Sequence, residues 1–416
     1  MIIIDIHKGE RMTFNDILKE SWLSISGNKI RSFLTILGII IGVLAVVVMV
    51  TVGETVQRQI DDQFSALGTN TIIIRAGAAQ TGGVRTTSGM QTLKISDAEA
   101  LGQLPEVEYA SPTRQTGMQV IFGNRNWGTT VVGAYPAYQY IQNIEIEQGA
   151  FFDWSAVRNA STHAVIGPRV AKELEMGPSP VGQIIRVGNV PLVVIGLTKE
   201  KGEGMGSSDD MIFVPITTLQ KRISSWRFPD AVPTVMLKLR ADADNNYATE
   251  QITMLLRERH KLKDDQRDDF QITDMKQVME TLNTIAGFMK MLLISIASVS
   301  LLVGSIGIMN MMLVSVAERT REIGIRKAIG AKESDIIVQF MSESILISFI
   351  GSMIGLVLGI GLSQLVVPSL MNYPATISMW AVALSVIVAL VVGFASGVFP
   401  AIKAAKLNPI DSLRYE

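Results

Sequence analysis

The chain has 416 residues, 48% of them hydrophobic and only 18% charged, and its 37 Lys and Arg against 38 Asp and Glu leave a formal net charge of −1. So low a charged fraction, against roughly 25% in soluble domains, points to membrane segments, while the near-neutral sum identifies no partner. The absence of cysteine excludes a disulfide framework, a thiolate nucleophile and a cysteine-based zinc site.

In chain order, residues 1–32 form a cytoplasmic N-terminal segment. Thr13 with Asp16 three residues on makes a helix start, and Phe14, Ile17, Leu18 and Trp22 follow at helical spacing beside Lys19, Lys29 and Arg31. This suits an amphipathic helix in the inner membrane interface, the alternative being a stub packed on the helical bundle. Residues 33–52 are long and apolar enough for a first transmembrane helix. Some thirty residues precede them and no small-residue cleavage site follows, which argues against a signal peptide. Val56, Ile60 and Phe64 then continue the helical spacing into a stalk.

Residues 53–284 hold runs of β-branched and alternating residues bounded by Gly and Pro. Strands are expected at 71–75, 107–110, 119–122, 130–133, 183–187, 192–197, 211–214, 234–239 and 270–273, with Gly188-Asn189 as a hairpin turn. Helices are expected at 96–104, capped by Ser96 with Glu99 closing the box, at 168–174 and at 247–260. The strand–helix–strand order at both ends suggests one split α/β, porter-like part (about 53–110 and 220–284) with a strand-rich part (about 111–219) inserted. Residues 77–89 and 202–210, rich in Gly and small polar residues, are expected to be mobile loops. Residues 274–283 lead into the next helix as a second stalk.

Three further apolar runs complete the chain: transmembrane helices at 285–316, 336–367 and 377–402. Between them lie a loop at 317–335 and an outer loop at 368–376, with a tail at 403–416. Lys and Arg cluster in the N-terminal segment, the 317–335 loop and the tail, and residues 368–378 have none. The positive-inside rule therefore puts both termini and the 317–335 loop in the cytoplasm and residues 53–284 outside. The fold class expected is an α-helical membrane protein with four transmembrane helices plus a large α+β extracytoplasmic domain inserted between helices 1 and 2. Lys290 stands near an outer helix end, where it can snorkel. Glu343 lies near the basic residues of the loop, where an ion pair is favoured over a proton relay.

Small residues recur at four-residue spacing: Gly38 and Gly42 in the first span, Gly351, Gly355 and Gly359 in the third, Gly393 and Gly397 in the fourth. Such spacing permits close helix crossings within the chain or between two copies, and a homodimer packed partly through the first helix is expected. Chemistry is harder to find. No GxxxxGK[ST] phosphate loop occurs, and the glycines of 202–206 open no helix. His7, His163 and His260 stand far apart, with no neighbour at metal-ligand spacing. The chain is not expected to be an enzyme or to bind a metal or cofactor.

The densest charge lies in AERTREIGIRKAIGAKESD, residues 317–335, where five basic and four acidic residues separate two apolar runs. Glu322 and Arg326 stand at i, i+4 in the favourable order, and Gly330 is a helix C-cap candidate. Residues 316–331 resemble the cytoplasmic loop signature of MacB-type ABC transporter permeases, in the FtsX-related superfamily. NKIRSFLTILGIIIGV (28–43) is similar to that family's first-helix entry, and FPAIKAAKLNPIDSLRYE (399–416) to its C-terminal motif. The resemblance covers nearly the whole chain. It implies a dimeric four-helix permease of an export or efflux system that transmits ATP-driven motion from an ABC ATPase dimer to its periplasmic domain. ATP and Mg would be used by that partner alone, the fused ATPase domain of the macrolide exporter being absent from this stretch. It implies as coupling residues Glu318, Arg319, Arg321, Glu322, Gly324, Arg326, Lys327 and Gly330, and as location the bacterial inner membrane. A second copy, membrane lipid, a periplasmic adaptor and an outer-membrane channel are the further partners expected, and nucleic acid is not. Within the same family, lipoprotein release and regulation of a wall hydrolase remain alternatives. A membrane-tethered sensor is the alternative from another class, and it would need a larger cytoplasmic domain than these segments hold.

Overall fold

The computed structural model describes residues 29–67, 70–77, 92–202, 207–224, 228, 230–371, 373–377 and 379–413. The expected N-terminal amphipathic helix lies outside these residues, as does most of the two glycine-rich loops. In chain order the principal elements begin with α1 (Lys29–Leu67), β1 (Thr71–Ala76), α2 (Ile95–Leu101), β2 (Val107–Phe122), β3 (Arg125–Ala134), β4 (Ile146–Gly149), α3 (Trp154–Asn159) and β5 (His163–Ile166). Then come α4 (Pro168–Glu173), β6 (Ile184–Val187), β7 (Val190–Thr198), β8 (Met211–Pro215), β9 (Thr234–Leu239), α5 (Asn245–Arg259) and β10 (Phe270–Asp274). The chain ends with α6 (Met275–Glu318), α7 (Thr320–Ala328), α8 (Glu333–Met371), α9 (Met379–Ala405) and α10 (Pro409–Leu413). The described residues divide into two compact units, one made of those up to 59 and from 284 on, the other of those from 60 to 283.

In the first unit, α1, α6, α8 and α9 each contain a stretch long and apolar enough to cross a membrane. At 39 and 44 residues, α1 and α6 run well past the roughly 20 that a hydrocarbon core requires. The buried side of α8 mixes Ser344, Ser348, Gly351, Ser352, Gly355, Gly359 and Ser363 with Ile336, Phe340, Ile347 and Val367 and holds Glu343, whereas Phe349, Val357, Leu358 and Leu365 stand exposed. Small residues let helix backbones approach, and large apolar ones are left for lipid. The hydroxyls of Ser344, Ser352 and Ser363 are satisfied within the helix, as where Ser363 Oγ donates to Gly359 O at 2.7 Å, whereas the buried Ser348 hydroxyl has no partner among the described residues.

The second unit is built on one ten-stranded mixed sheet, in the order β10-β1-β9-β2-β3-β8-β5-β7-β4, with β6 pairing β2 and β7. Antiparallel β1 is flanked by β10 and β9, and β9 by β2, so the two strand–helix–strand stretches of the sequence stand side by side. Ala98 and Leu101 of α2 and Ala248, Ile252 and Leu256 of α5 bury against Ile72, Ile74, Val235 and Leu237 in one core. A second core, including Val131, Ile166, Val194, Ile212 and Leu219, fills the other half. The boundary expected at 110–111 falls inside a strand. β2 is continuous through Pro112 and Gly117, pairing β9 up to Thr113 and β3 from Arg114 on. The two separate strands expected at 107–110 and 119–122 are its ends.

Two strands have no counterpart among those expected from the sequence. β4 and β5 have four residues each, too short to show a period, and β5 is a buried inner strand between β7 and β8. The cap of α2 is also corrected: Lys94, not Ser96, is the N-cap, and Asp97 closes the box by accepting from Lys94 N–H at 2.8 Å. At Gly188-Asn189 the hairpin forms as expected, Val187 opposite Val190, with Gly188 at φ +58°.

A polar clasp joins α2 to the end of α5. Asp97 accepts from Arg259 Nε at 2.7 Å and faces His260 Nε2 at 3.3 Å, while His260 Nδ1 meets Asp269 at 2.7 Å. Burial pushes the Asp97 carboxyl up, but hydrogen bonds from His260, Arg259 and Lys94 outweigh it and hold the group down at about 2. Hydrogen bonding to Asp97 raises His260 against its own burial, with Asp269 adding to the effect.

Candidate ATPase-coupling site

The charged 317–335 segment folds as the end of α6, the helix α7 and a turn into α8. Gly330, at φ +105°, ends α7 in a Schellman arrangement: Ala331 N–H reaches Arg326 O at 3.0 Å across it. Along α7, Glu322 and Arg326 pair at 2.7 Å one turn apart, an exposed contact of about 0.3–0.5 kcal/mol.

The inward side of α7 is fastened to three other helices. Lys327 Nζ donates to Ala405 O at 2.6 Å and Leu407 O at 2.9 Å, so a cation from one helix caps the carbonyl end of α9. Only 13% of that side chain is exposed. Arg326 Nη1 donates to Gln339 of α8 at 2.7 Å. Arg319 lies 3.7 Å from Glu343, whose side chain is nearly fully buried. The ion pair expected at Glu343 thus finds its basic partner in Arg319. Gly324 packs under α10, where an added methyl would sit 2.6 Å from Ser412 Cβ. Ile323 is buried beside it.

The eight residues expected to couple therefore divide. Arg319, Gly324, Arg326 and Lys327 hold α7 to α8, α9 and α10, and Gly330 shapes its end. Glu318, Arg321 and Glu322 are exposed. The outward side also carries Ile325 and Ile329, exposed by 47% and 62%, which reasoning from charge passed over. Their signal was legible as two apolar residues at i, i+4 in a helix otherwise rich in charge. Gln339, Ser412 and the 405 and 407 carbonyls were not legible, because nothing in their local sequence marks them as partners of α7.

The glycines expected to pack helices do so within the chain. A methyl at Gly38 would stand 3.3 Å from Gly304 Cα of α6, and one at Gly42 would stand 3.1 Å from Leu301 Cδ1. Gly351, Gly355 and Gly359 of α8 face Ile39, Ile40 with Val43, and Val47 of α1. Gly38 and Gly42 thus meet α6 of their own chain. Gly393 and Gly397 lie against Ser348 and Ser344 of α8, closer than any Cβ could come.

Known proteins agree with this arrangement along the chain. Residues 32–255 match the MacB-like periplasmic core domain, and residues 294–409 match the FtsX-like permease C-terminal domain. A macrolide export ATP-binding/permease protein MacB of Bdellovibrio bacteriovorus is 38% identical over 403 residues, which are 96% of this chain and 61% of that protein. One from a Shewanella species is 37% identical over 406 residues, with shares of 96% and 61%. The chain spans about three fifths of the length of these curated relatives. The crystal structure of the periplasmic region of MacB from Actinobacillus actinomycetemcomitans superimposes at a TM-score of 0.45 with 21% identity, over 53% of this chain and 95% of that one.

Proposed function

The chain belongs to the family of MacB-like ABC transporter permeases with an FtsX-like C-terminal part, and we propose that it is the permease of an export system that passes ATP-driven motion to its outer domain. α7 is the coupling helix, seated on an ABC-type ATPase that binds ATP and Mg. The relatives named for macrolide export support export as the kind of transport. In this reading four helices cross the bacterial inner membrane, both termini and α7 are cytoplasmic, and the sheet unit stands outside. A second copy completes the permease, and an adaptor and outer-membrane channel carry cargo onward where a cell has an outer membrane.

The observation that carries the reading is the two-sidedness of α7. Its inner side is tied to α8, α9 and α10, so a push on α7 reaches three helix ends at once. Its outer side offers Arg321, a residue type enriched at interface hot spots, beside the exposed apolar pair Ile325 and Ile329.

The double variant Arg321→Glu/Ile325→Asp tests this without touching the inner contacts. Co-purified with its ATPase, it should insert and melt as the parent does, while permease-stimulated ATP hydrolysis falls about tenfold or more, as expected for wrong-sign charge and a lost apolar anchor in a groove. Full association and stimulation would remove α7 from the interface.

A further inference from the structure

A groove of about 870 Å³ opens in the sheet unit between α2, β2, the 135–140 turn and the start of α3. Six aromatic side chains line it: Tyr109, Tyr135, Tyr140, Phe151, Phe152 and Trp154. They are ordered in pairs. Tyr109 and Tyr140 stack at 5.1 Å and 18°, Phe151 and Phe152 stack at 4.3 Å, and Trp154 meets Tyr135 edge to face at 4.6 Å. Tyr140 and Trp154 nonetheless keep 53% and 48% of their surface in contact with solvent. Rings that served only as core would be covered, as Tyr138 is at 4%.

Three carboxylates share the walls, Glu99, Glu108 and Asp153, and no Lys, Arg or His lines the groove. Among the described residues none of the three forms an ion pair. Glu99 accepts a hydrogen bond from Tyr135 Oη at 3.0 Å. Asp153 accepts from Ser155 Oγ at 2.7 Å and from Ala156 N–H at 3.0 Å, as the N-cap of α3. Both are neutral donors, so the negative charge is oriented but not cancelled.

We propose that this groove is a binding site for an organic cation, a tertiary or quaternary ammonium carried on a compact apolar or aromatic body. Aromatic faces present the negative side of their quadrupole to an ammonium, Trp most strongly. Uncompensated carboxylates at the rim add long-range attraction for the same charge. The stacked rings supply a surface for the apolar body that costs little side-chain ordering, because the rings are already held by one another. A neutral sugar could also stack on exposed rings, but it has no use for three unpaired acids. An anion would be repelled by them.

The test uses the full chain in nanodiscs of zwitterionic lipid, with water-soluble probes that stay out of the bilayer. Benzyltrimethylammonium should bind in the millimolar range or tighter, more weakly at high salt, while phenylmethanesulfonate, an anion of similar size, should not bind. Trp154→Ala should weaken the cation about 5–30-fold, the span of one cation–π contact from partly exposed to desolvated, and Glu108→Gln about 1.5–5-fold, the range of an exposed charge pair. Glu108 is exposed, so its variant keeps the fold even if the Trp154 change disturbs α3. Glu175→Gln, whose parent carboxylate pairs with Arg125 on residues outside the groove lining, should leave the affinity unchanged. Equal binding of cation and anion, no cation binding, preference for methyl glucoside, or unchanged affinity in Glu108→Gln would each overturn the assignment. No ATPase takes part in this measurement, so its failure leaves the permease reading standing.

Discussion

The crossing of α1 and α8 offers a sharp test of the packing. A methyl group at Gly355 of α8 would lie 2.8 Å from Ile40 O, 3.0 Å from Val43 Cβ and 3.2 Å from Ile40 Cα of α1. Two of those atoms are backbone, so no side-chain rotation relieves them, and α1 and α8 must move apart. Overpacking of this kind costs about 1–3 kcal/mol. Replacing a helical glycine by alanine returns up to about 1 kcal/mol through the backbone, so Gly355→Ala should lose about 0–2 kcal/mol against the parent and about 1–3 kcal/mol against a helical glycine replaced without the clash. Gly361 provides the internal control. It stands in the same helix, yet nothing lies within 4 Å of a methyl placed there, so Gly361→Ala keeps the backbone gain alone. Reversible unfolding of the purified chain in mixed micelles, followed by helical circular dichroism, should place Gly361→Ala at or above the parent and Gly355→Ala clearly below Gly361→Ala. Equal stability of the two variants would refute the close crossing.

Two further expectations concern the outer unit and the orientation. The His260 clasp contributes stability fully below the unfolded histidine value near 6.5, and this is lost as pH rises through the raised folded value. The Asp97 contribution runs the other way, being lost only as pH falls toward about 2. The melting temperature of the outer unit's transition should therefore drop between neutral and alkaline pH in the parent, and His260→Ala should abolish that slope; a slope kept in the variant would exonerate the clasp. Because the chain has no native cysteine, a single cysteine at exposed Ser179 should react with an impermeant maleimide in intact spheroplasts and one at exposed Ser334 only after lysis. Labelling of Ser334 in sealed cells would invert the proposed orientation.

What the sequence disclosed follows the length scale of each signal. Four apolar stretches survive any local ambiguity because twenty residues vote together, and they coincide with α1, α6, α8 and α9. Alternating runs such as Thr234–Leu239 and Met211–Pro215 are placed to within a residue, whereas β3 begins five residues before the run expected at 130–133. Four-residue β5 is too short to show a period, and it becomes a strand only because β7 and β8 flank it. The runs at 107–110 and 119–122 are joined by tertiary pairing through Pro112 and Gly117 into one long strand shared by both cores. The spaced glycines face α6, α1 and α8 of the same chain, and spacing alone carries no information on which chain supplies the second backbone.

Charge density in the 317–335 segment has a different meaning from charge at a membrane edge. A positive-inside signal requires basic residues but gives no reason for four acids among nine charges. The structure supplies internal reasons for several: Arg319 answers buried Glu343, Arg326 holds Glu322 and Gln339, and Lys327 closes the carbonyl end of α9. Charge engaged in these contacts is not available to a partner, so density alone argues weakly for docking. What argues for it is the surface left over once the inner contacts are subtracted. Ile325 and Ile329 gain nothing from facing water, whereas Ile323, on the same helix, is buried. Two exposed isoleucines beside an exposed arginine, on a helix that already hides a third isoleucine, are what support the docking surface proposed for it.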